Sequence, residues 1–173
     1  ASGNSIVDAY VDLKFSPKAS VRLGKQKGPI GIERLQSGSA LPFIERGLTT
    51  ELVPNRDLGV AVFGELASKT VNYSLGVFNG TADGRDVSVA DDAGKEVEGR
   101  IFFTPFKNDY SALAGLGFGI AGSYGNKHSA QGNTANANNT LARYRSSGQQ
   151  QFFSYETGVI ADGKHTRLAP QFS

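Results

Sequence analysis

Val7, Ala9, Val11, Leu13 and Phe15 alternate with Asp8, Tyr10, Asp12 and Lys14, so residues 6–15 predict a period-two strand with its charge on one face. Ser16-Pro17-Lys18 predicts a tight turn, because proline presets the backbone dihedral. Residues 19–25 resume the alternation, with Val21 and Leu23 facing one way and Arg22 and Gly24 the other; the two runs predict a hairpin. Leu58, Val60, Val62 and Leu66 then alternate with Gly59, Ala61, Phe63 and Glu65. Ala67-Ser68-Lys69 turns the chain, and Val71, Tyr73, Leu75 and Val77 answer against Thr70, Asn72, Ser74 and Gly76. Val97, Gly99, Ile101 and Phe103 oppose Glu98, Arg100, Phe102 and Thr104. Residues 106–109 read as a short turn, after which Leu116, Phe118, Ile120 and Tyr124 face Gly115, Gly117, Gly119 and Ala121. Residues 143–145 and 149–155 predict one further strand, and residues 165–172 predict the last.

Between these runs lie long connections. Residues 24–59 hold prolines at 29, 42 and 54, which exclude a long regular element, yet Ile, Leu, Phe and Val keep returning. The same stretch carries three acid–arginine neighbours: Glu33-Arg34, Glu45-Arg46 and Arg56-Asp57. A long loop both apolar and charged is uncommon in a compact domain and is usually functional. Residues 80–96 form a second, acidic loop, and 126–140 a third of low complexity. The rhythm is short turn, long loop, short turn, long loop.

Composition narrows this picture. Among 173 residues only 39% are hydrophobic, and no apolar run approaches the roughly 20 residues of a membrane helix, which says nothing against strands that face lipid with alternate residues. The 22 glycines and 11 phenylalanines suit curved β-structure. With no Cys, disulfides, thiolate chemistry and Cys-ligated metals are excluded together. A net charge of +2 is too balanced for a nucleic-acid partner. Without Met at position 1 or a visible leader, the chain reads as processed or as a piece of something longer.

Alternation alone also suits a soluble sandwich or a lipocalin-type barrel. The second face separates the readings. It should pack a core in a soluble protein, but here it carries Asp8, Asp12, Arg22, Glu98 and Arg100 beside Gly and Ser. A charged inside and an apolar outside describe a wet lumen in lipid, and Phe15, Tyr73, Phe103 and Tyr124 sit near strand ends, where an aromatic girdle would lie. The fold class is therefore all-β: an antiparallel meander of an outer-membrane β-barrel.

The words of the sequence carry a resemblance. Val21-Arg22-Leu23-Gly24-Lys25, residues 28–37 (Gly28-Pro29-Ile30-Gly31-Ile32-Glu33-Arg34-Leu35-Gln36-Ser37), Leu41-Pro42-Phe43-Ile44-Glu45-Arg46 and Val53-Pro54-Asn55-Arg56-Asp57-Leu58-Gly59-Val60 come first. Leu75-Gly76-Val77-Phe78-Asn79-Gly80, residues 98–106 (Glu98 to Phe106), residues 116–122 (Leu116 to Gly122) and residues 148–155 (Gly148 to Tyr155) follow in order. Together these segments resemble the phosphate-selective porin O and P family across nearly the whole chain. The resemblance implies a homotrimeric outer-membrane porin of the bacterial cell, with a barrel of roughly 16 strands. About seven or eight strands are expected here, at about ten residues each. Residues 1–173 are thus read as a single barrel segment, incomplete at both ends, with loop 24–59 within it.

The family's implied chemistry is passage of phosphate, pyrophosphate or other small anions along pore-lining arginines and lysines. Arg offers a planar fork for phosphate oxygens, and Lys a mobile point charge. Arg22 and Arg100 face the lumen by alternation; Arg34, Arg46 and Arg56 lie in the long loop, and Lys25 and Lys27 at its entrance. These seven are the candidate anion-binding and pore-lining residues. A neighbouring carboxylate could brace each arginine and weaken its grip on an anion. No cofactor and no metal is expected: the acidic stretch 83–92 lacks the Asp-x-Asp-x-Asp-Gly order of a calcium loop. Nor is an enzyme: the two histidines, His128 and His165, lie in or beside loops, and no nucleophile elbow or phosphate loop is present. Alternatives are a general non-specific porin and a small structural or adhesive outer-membrane barrel.

Overall fold

In the computed structural model, residues 6–41, 43–87, 94–109, 112–129, 132–134, 141–146, 148 and 150–173 are described. Seven strands form one sheet, in the order β1 (Ala9–Ser16), β2 (Ala19–Gln26), β3 (Asp57–Leu66), β4 (Val71–Phe78), β5 (Glu96–Phe103), β6 (Phe118–His128) and β9 (Asp162–Phe172). Every neighbouring pair is antiparallel. The wall is the predicted meander. Its strands of 8 to 11 residues match the span of a tilted transmembrane strand.

Register shows why the alternation matters. One row across the sheet reads Leu13, Val21, Val62, Leu75, Gly99, Gly122 and Leu168. One residue on, the opposite face reads Asp12, Arg22, Ala61, Gly76, Glu98, Ser123 and Arg167. The apolar row is bare, with Leu75 58% and Leu168 73% exposed, whereas Ala61 (4%) and Glu98 (0%) on the polar face are covered. An exposed apolar face and a covered polar one invert a soluble protein and fit a wall between lipid and lumen. Among the described residues no helix is long and apolar enough to cross a membrane, which says nothing of crossing by strands.

The long loops supply the cover. Residues 27–56 include helix α1 (Ile32–Leu35) and 3-10 turns at Gly38–Ala40 and Leu48–Leu52. Ile30 and Val53 of this loop form one buried cluster with Ala121 of β6, and Ala169 of β9 packs against it. The loop therefore lies on the inner face of the wall. The backbone of its last segment pairs with the second loop: Gly84 N donates to Val53 O (2.9 Å), Asn55 N to Arg85 O (2.8 Å) and Val87 N to Arg56 O (2.9 Å).

The opposite rim has tight turns between β1 and β2 and between β3 and β4, and one longer connection between β5 and β6. Ala67, Ser68 and Lys69 all take positive φ (49°, 56° and 71°), closed by Thr70 N donating to Ala67 O at 3.1 Å. Phe103 and Phe118 stack near this rim with ring centroids 5.8 Å apart, and Phe15 (72% exposed) stands on it, as a girdle requires. Tyr73 lies two positions into β4, its hydroxyl donating to Lys18 O at 2.7 Å. Tyr124 lies toward the loop rim instead, level with Val97 and Thr166.

Three expectations are corrected. Residues 143–155 do not make a wall strand: β7 (Arg143–Arg145) and β8 (Gln151–Ser154) pair with each other apart from the seven-stranded sheet. Every residue of β8 is exposed, so the segment has no buried alternation to hold a place in the wall. The wall continues from β6 directly to β9, which starts at Asp162 rather than 165. The connection between β5 and β6 is also longer than four residues, running from 104 to 117.

Candidate channel lining and arginine cleft

Strand alternation delivers Arg22, Arg100 and Arg167 to the inner face. Arg22 makes a bidentate pair with Asp12 (Nε–Oδ1 2.6 Å, Nη2–Oδ2 2.8 Å), and its guanidinium lies 4.0 Å from the Tyr10 ring centroid and 5.2 Å from that of Phe63. Arg100 lies 4.6 Å over Phe102 and donates from Nε to Gln171 Oε1 at 2.8 Å. Lys25 has the opposite placement. It is level with Ala9 and Leu58 on the row shared with the outward apolar side chains, and its Nζ donates to Ile6 O at 3.0 Å.

The loop residues converge. Lys27 Nζ donates to Arg34 O at 2.8 Å. Burial, then the charges of Arg56 and Arg46, hold Lys27 below the ordinary lysine value. Arg34 is 7% exposed; Nη1 donates to Asn55 Oδ1 at 2.6 Å, Nη2 to Thr50 O, and Glu51 lies 3.7 Å away. Burial pushes Arg34 down from its usual range, with Glu51 opposing. Among the described residues its Nε has no hydrogen-bond partner. Arg46 donates to Glu33 O (3.3 Å) and Gln36 O (3.1 Å) and so braces the loop. Arg56 is held by Asp8 (3.1 and 3.4 Å) and by Asn55 Oδ1 (2.6 Å).

Sequence neighbours are not spatial partners here. Arg34 faces Glu51 rather than Glu33; Glu33 instead accepts from Gly47 N at 3.0 Å. Arg56 faces Asp8 rather than Asp57, which accepts from Gly80 N (2.8 Å), Thr81 N (2.9 Å) and Thr81 Oγ1 (2.8 Å). The bracing carboxylates exist, but folding supplies them from elsewhere.

Arg34, Arg85, Arg143 and Arg145 line one cleft of about 320 Å³ together with Glu51, Asn55 and Gly84. Among the described residues the lining carries four guanidiniums and the carboxylate of Glu51, a donor set whose planar forks suit a planar or tetrahedral oxyanion. Arg85, Arg143 and Arg145 were not among the sequence candidates. Their relation to Arg34 depends on the pairing of residues 53–56 with 84–87 and on the β7–β8 hairpin, neither of which leaves a periodic signal.

A second polar group fills the inner face near the loop rim. Glu96 pairs with Lys127 (2.8 Å) and with Arg167, which also pairs with Asp83 at 2.5 Å. Tyr144 of β7 donates to Asp83 at 3.1 Å. Lys127 was readable in principle, because Ser123, Gly125 and Lys127 continue the β6 alternation into what reads as low-complexity loop. His128 is exposed, but His165 is half-buried on β9, unlike the exposed placement its position beside a turn suggests. Among the described residues no group of three or more His, Asp or Glu is placed to hold a metal; Asp91 and Asp92 lie outside them.

A seven-stranded antiparallel wall, apolar outside and charged inside, with a long loop lying on its inner face, defines a β-barrel porin. The profile of one family, phosphate-selective porin O and P, matches residues 1–170, and the chain belongs to that family of bacterial outer-membrane channels. No curated protein and no solved structure matches it.

Proposed function

We propose that the chain contributes wall and constriction to an anion-selective diffusion channel that prefers phosphate or pyrophosphate. The observation that carries this is the convergence of Arg34, Arg85, Arg143 and Arg145 on one cleft beside Glu51. Anion passage needs weak sequential sites rather than one deep one. Arg100, stacked on Phe102, and Lys27, beside Arg34, supply further cationic groups on the same side of the wall. Arg22 and Arg46 are more fully occupied by Asp12 and main-chain carbonyls and act here chiefly by shaping the surface, whereas Arg56, paired with Asp8, converges with Arg34 on Asn55 and adds its charge to the cleft's edge. Lys25 is proposed as an interface anchor, since its stem can lie along the apolar face while its ammonium reaches the rim. The assembly is proposed to be a homotrimer embedded in outer-membrane lipid.

The test is single-channel conductance of the complete protein in planar bilayers, with chloride as carrier and phosphate titrated in. Phosphate is expected to block chloride current, and Arg34→Ala to relieve the block. Current indifferent to phosphate supports the general-porin reading instead.

A further inference from the structure

Asn55 Oδ1 accepts two hydrogen bonds of equal length, from Arg34 Nη1 at 2.6 Å and from Arg56 Nη1 at 2.6 Å. Two guanidiniums thus converge on one oxygen. Such a bridging position ordinarily suits a carboxylate, because charge-assisted bonds to Arg are the strong ones. Here the acceptor is a neutral amide. The acids nearby are Glu51 on Arg34 at 3.7 Å, Asp8 on Arg56 at 3.1 Å, and Asp86, whose charge also acts on Arg34 and whose backbone bridges that of Arg56. A further negative charge at 55, in direct contact with both guanidiniums, would add one more carboxylate against these arginines at the edge of the cleft.

We infer that Asn55 is a positioning residue for anion recognition: it fixes Arg34 and Arg56 without cancelling their charge. This rests on the anion-channel reading above. The residue is well placed for the task. Its own N–H is tied to Arg85 O at 2.8 Å, so its backbone is fixed where the two loops pair. It also lines the cleft together with Arg34. Because Arg34 Nη2 is spent on Thr50 O, removing the Asn55 oxygen frees one edge of a side chain otherwise 7% exposed. The residue acts through the arginines and has no contact with the permeating anion to perform.

The experiment compares the complete wild-type protein with Asn55→Asp and Asn55→Ala in planar bilayers. The readouts are the half-blocking phosphate concentration and the reversal potential in a potassium chloride gradient; folding is followed by heat-modifiable mobility. Asn55→Asp keeps both acceptor bonds and adds one charge. It is expected to raise the half-blocking concentration roughly tenfold or more and to shift the reversal potential toward cations. Asn55→Ala adds no charge; it is expected to weaken the block while leaving the reversal potential anion-selective. That split distinguishes positioning from simple support of the loop, which would move both variants alike. An unchanged block in either folded variant overturns the inference. So does failure of both variants to fold, which would assign Asn55 a purely structural part. A wild-type channel without phosphate block or anion preference defeats the channel reading itself, whereas a phosphate-blocked wild type with indifferent Asn55 variants defeats only this inference.

Discussion

Glu98 and Gly28 touch where the long loop meets the wall: a Cβ built on Gly28 would lie 3.1 Å from Glu98 Cδ and closer still to Oε2. Glu98 is fully buried, and among the described residues neither carboxyl oxygen has a hydrogen-bond partner. The contact is therefore tight, and a side chain at 28 forces the carboxyl end of Glu98 to move. Gly28→Ala is expected to unseat the loop at a cost of about 1–3 kcal/mol, the usual range for overpacking. Limited proteolysis within residues 27–56 reads the loosening. Glu98→Ala should restore the Gly28→Ala protein, because it makes the missing room; purely additive losses in the double variant would contradict this contact.

The two faces of the wall make opposite predictions at adjacent positions. Leu75 is on the outward row and Ser74 on the inward one, level with Arg100. Leu75→Arg is expected to destabilise the folded barrel by about 2–4 kcal/mol if it lies near the bilayer midplane. Ser74→Arg should leave stability nearly unchanged and alter conductance instead. Urea unfolding in lipid vesicles measures the first effect and bilayer current the second; the reverse order of sensitivity would mean the faces are exchanged.

Lys27 gives the channel a dependence on alkaline pH. Burial and the nearby Arg56 and Arg46 charges hold its folded value below 10.5, so it sheds its proton before an ordinary lysine does. The unfolded chain binds the proton more tightly. The penalty for charging Lys27 is thus fully present at neutral pH and is relieved as pH rises through the folded value toward the unfolded one. Loop stability should climb across that window while anion selectivity falls. In Lys27→Arg the selectivity trend should vanish from reversal potentials recorded between neutral and alkaline pH, and the stability trend from limited proteolysis of the loop over the same range; a persisting trend would point to another group.

Glu96 anchors a buried ionic group in which its side chain is 1% exposed, that of Arg167 8% and that of Lys127 9%. Removing the acid leaves two buried cations short of a partner. Glu96→Ala is expected to cost about 3–5 kcal/mol, as for other broken buried pairs. The same change should affect phosphate block less than Arg34→Ala does, because Arg167 keeps Asp83. Thermal unfolding and channel block, measured on both variants, check the two halves of this expectation.

Most of the wall is visible in the alternation of Val60, Val62, Leu75, Val77 and Ile101 with small or charged neighbours. A one-residue slip would send that whole set to the wrong face, so the pattern determines register as well as strand identity. Arg22 and Arg100 were assigned to the inner face by the same logic. The loop was harder. Its placement on the inner face depends on Ile30 and Val53 meeting Ala121, a contact between segments distant in sequence. Arg85, Arg143 and Arg145 joined Arg34 for the same reason. Local adjacency misled where it was most suggestive: the acids beside Arg34 and Arg56 in sequence serve Gly47, Gly80 and Thr81, not the arginines. Lys25 shows the converse, since counting by twos from Val21 and Leu23 already sends it outward.

The two rims of the sheet are unlike. At one rim stand turns as short as that around Ala67, Ser68 and Lys69; at the other, the described residues of 27–56 and 79–87 lie on the inner face and bring Arg34 and Arg85 with them. A passage whose positive groups crowd one mouth gathers anions there and not at the far end. Equal and opposite voltages should then drive unequal currents, making the channel a rectifier whose preferred direction is written in the lengths of its connections.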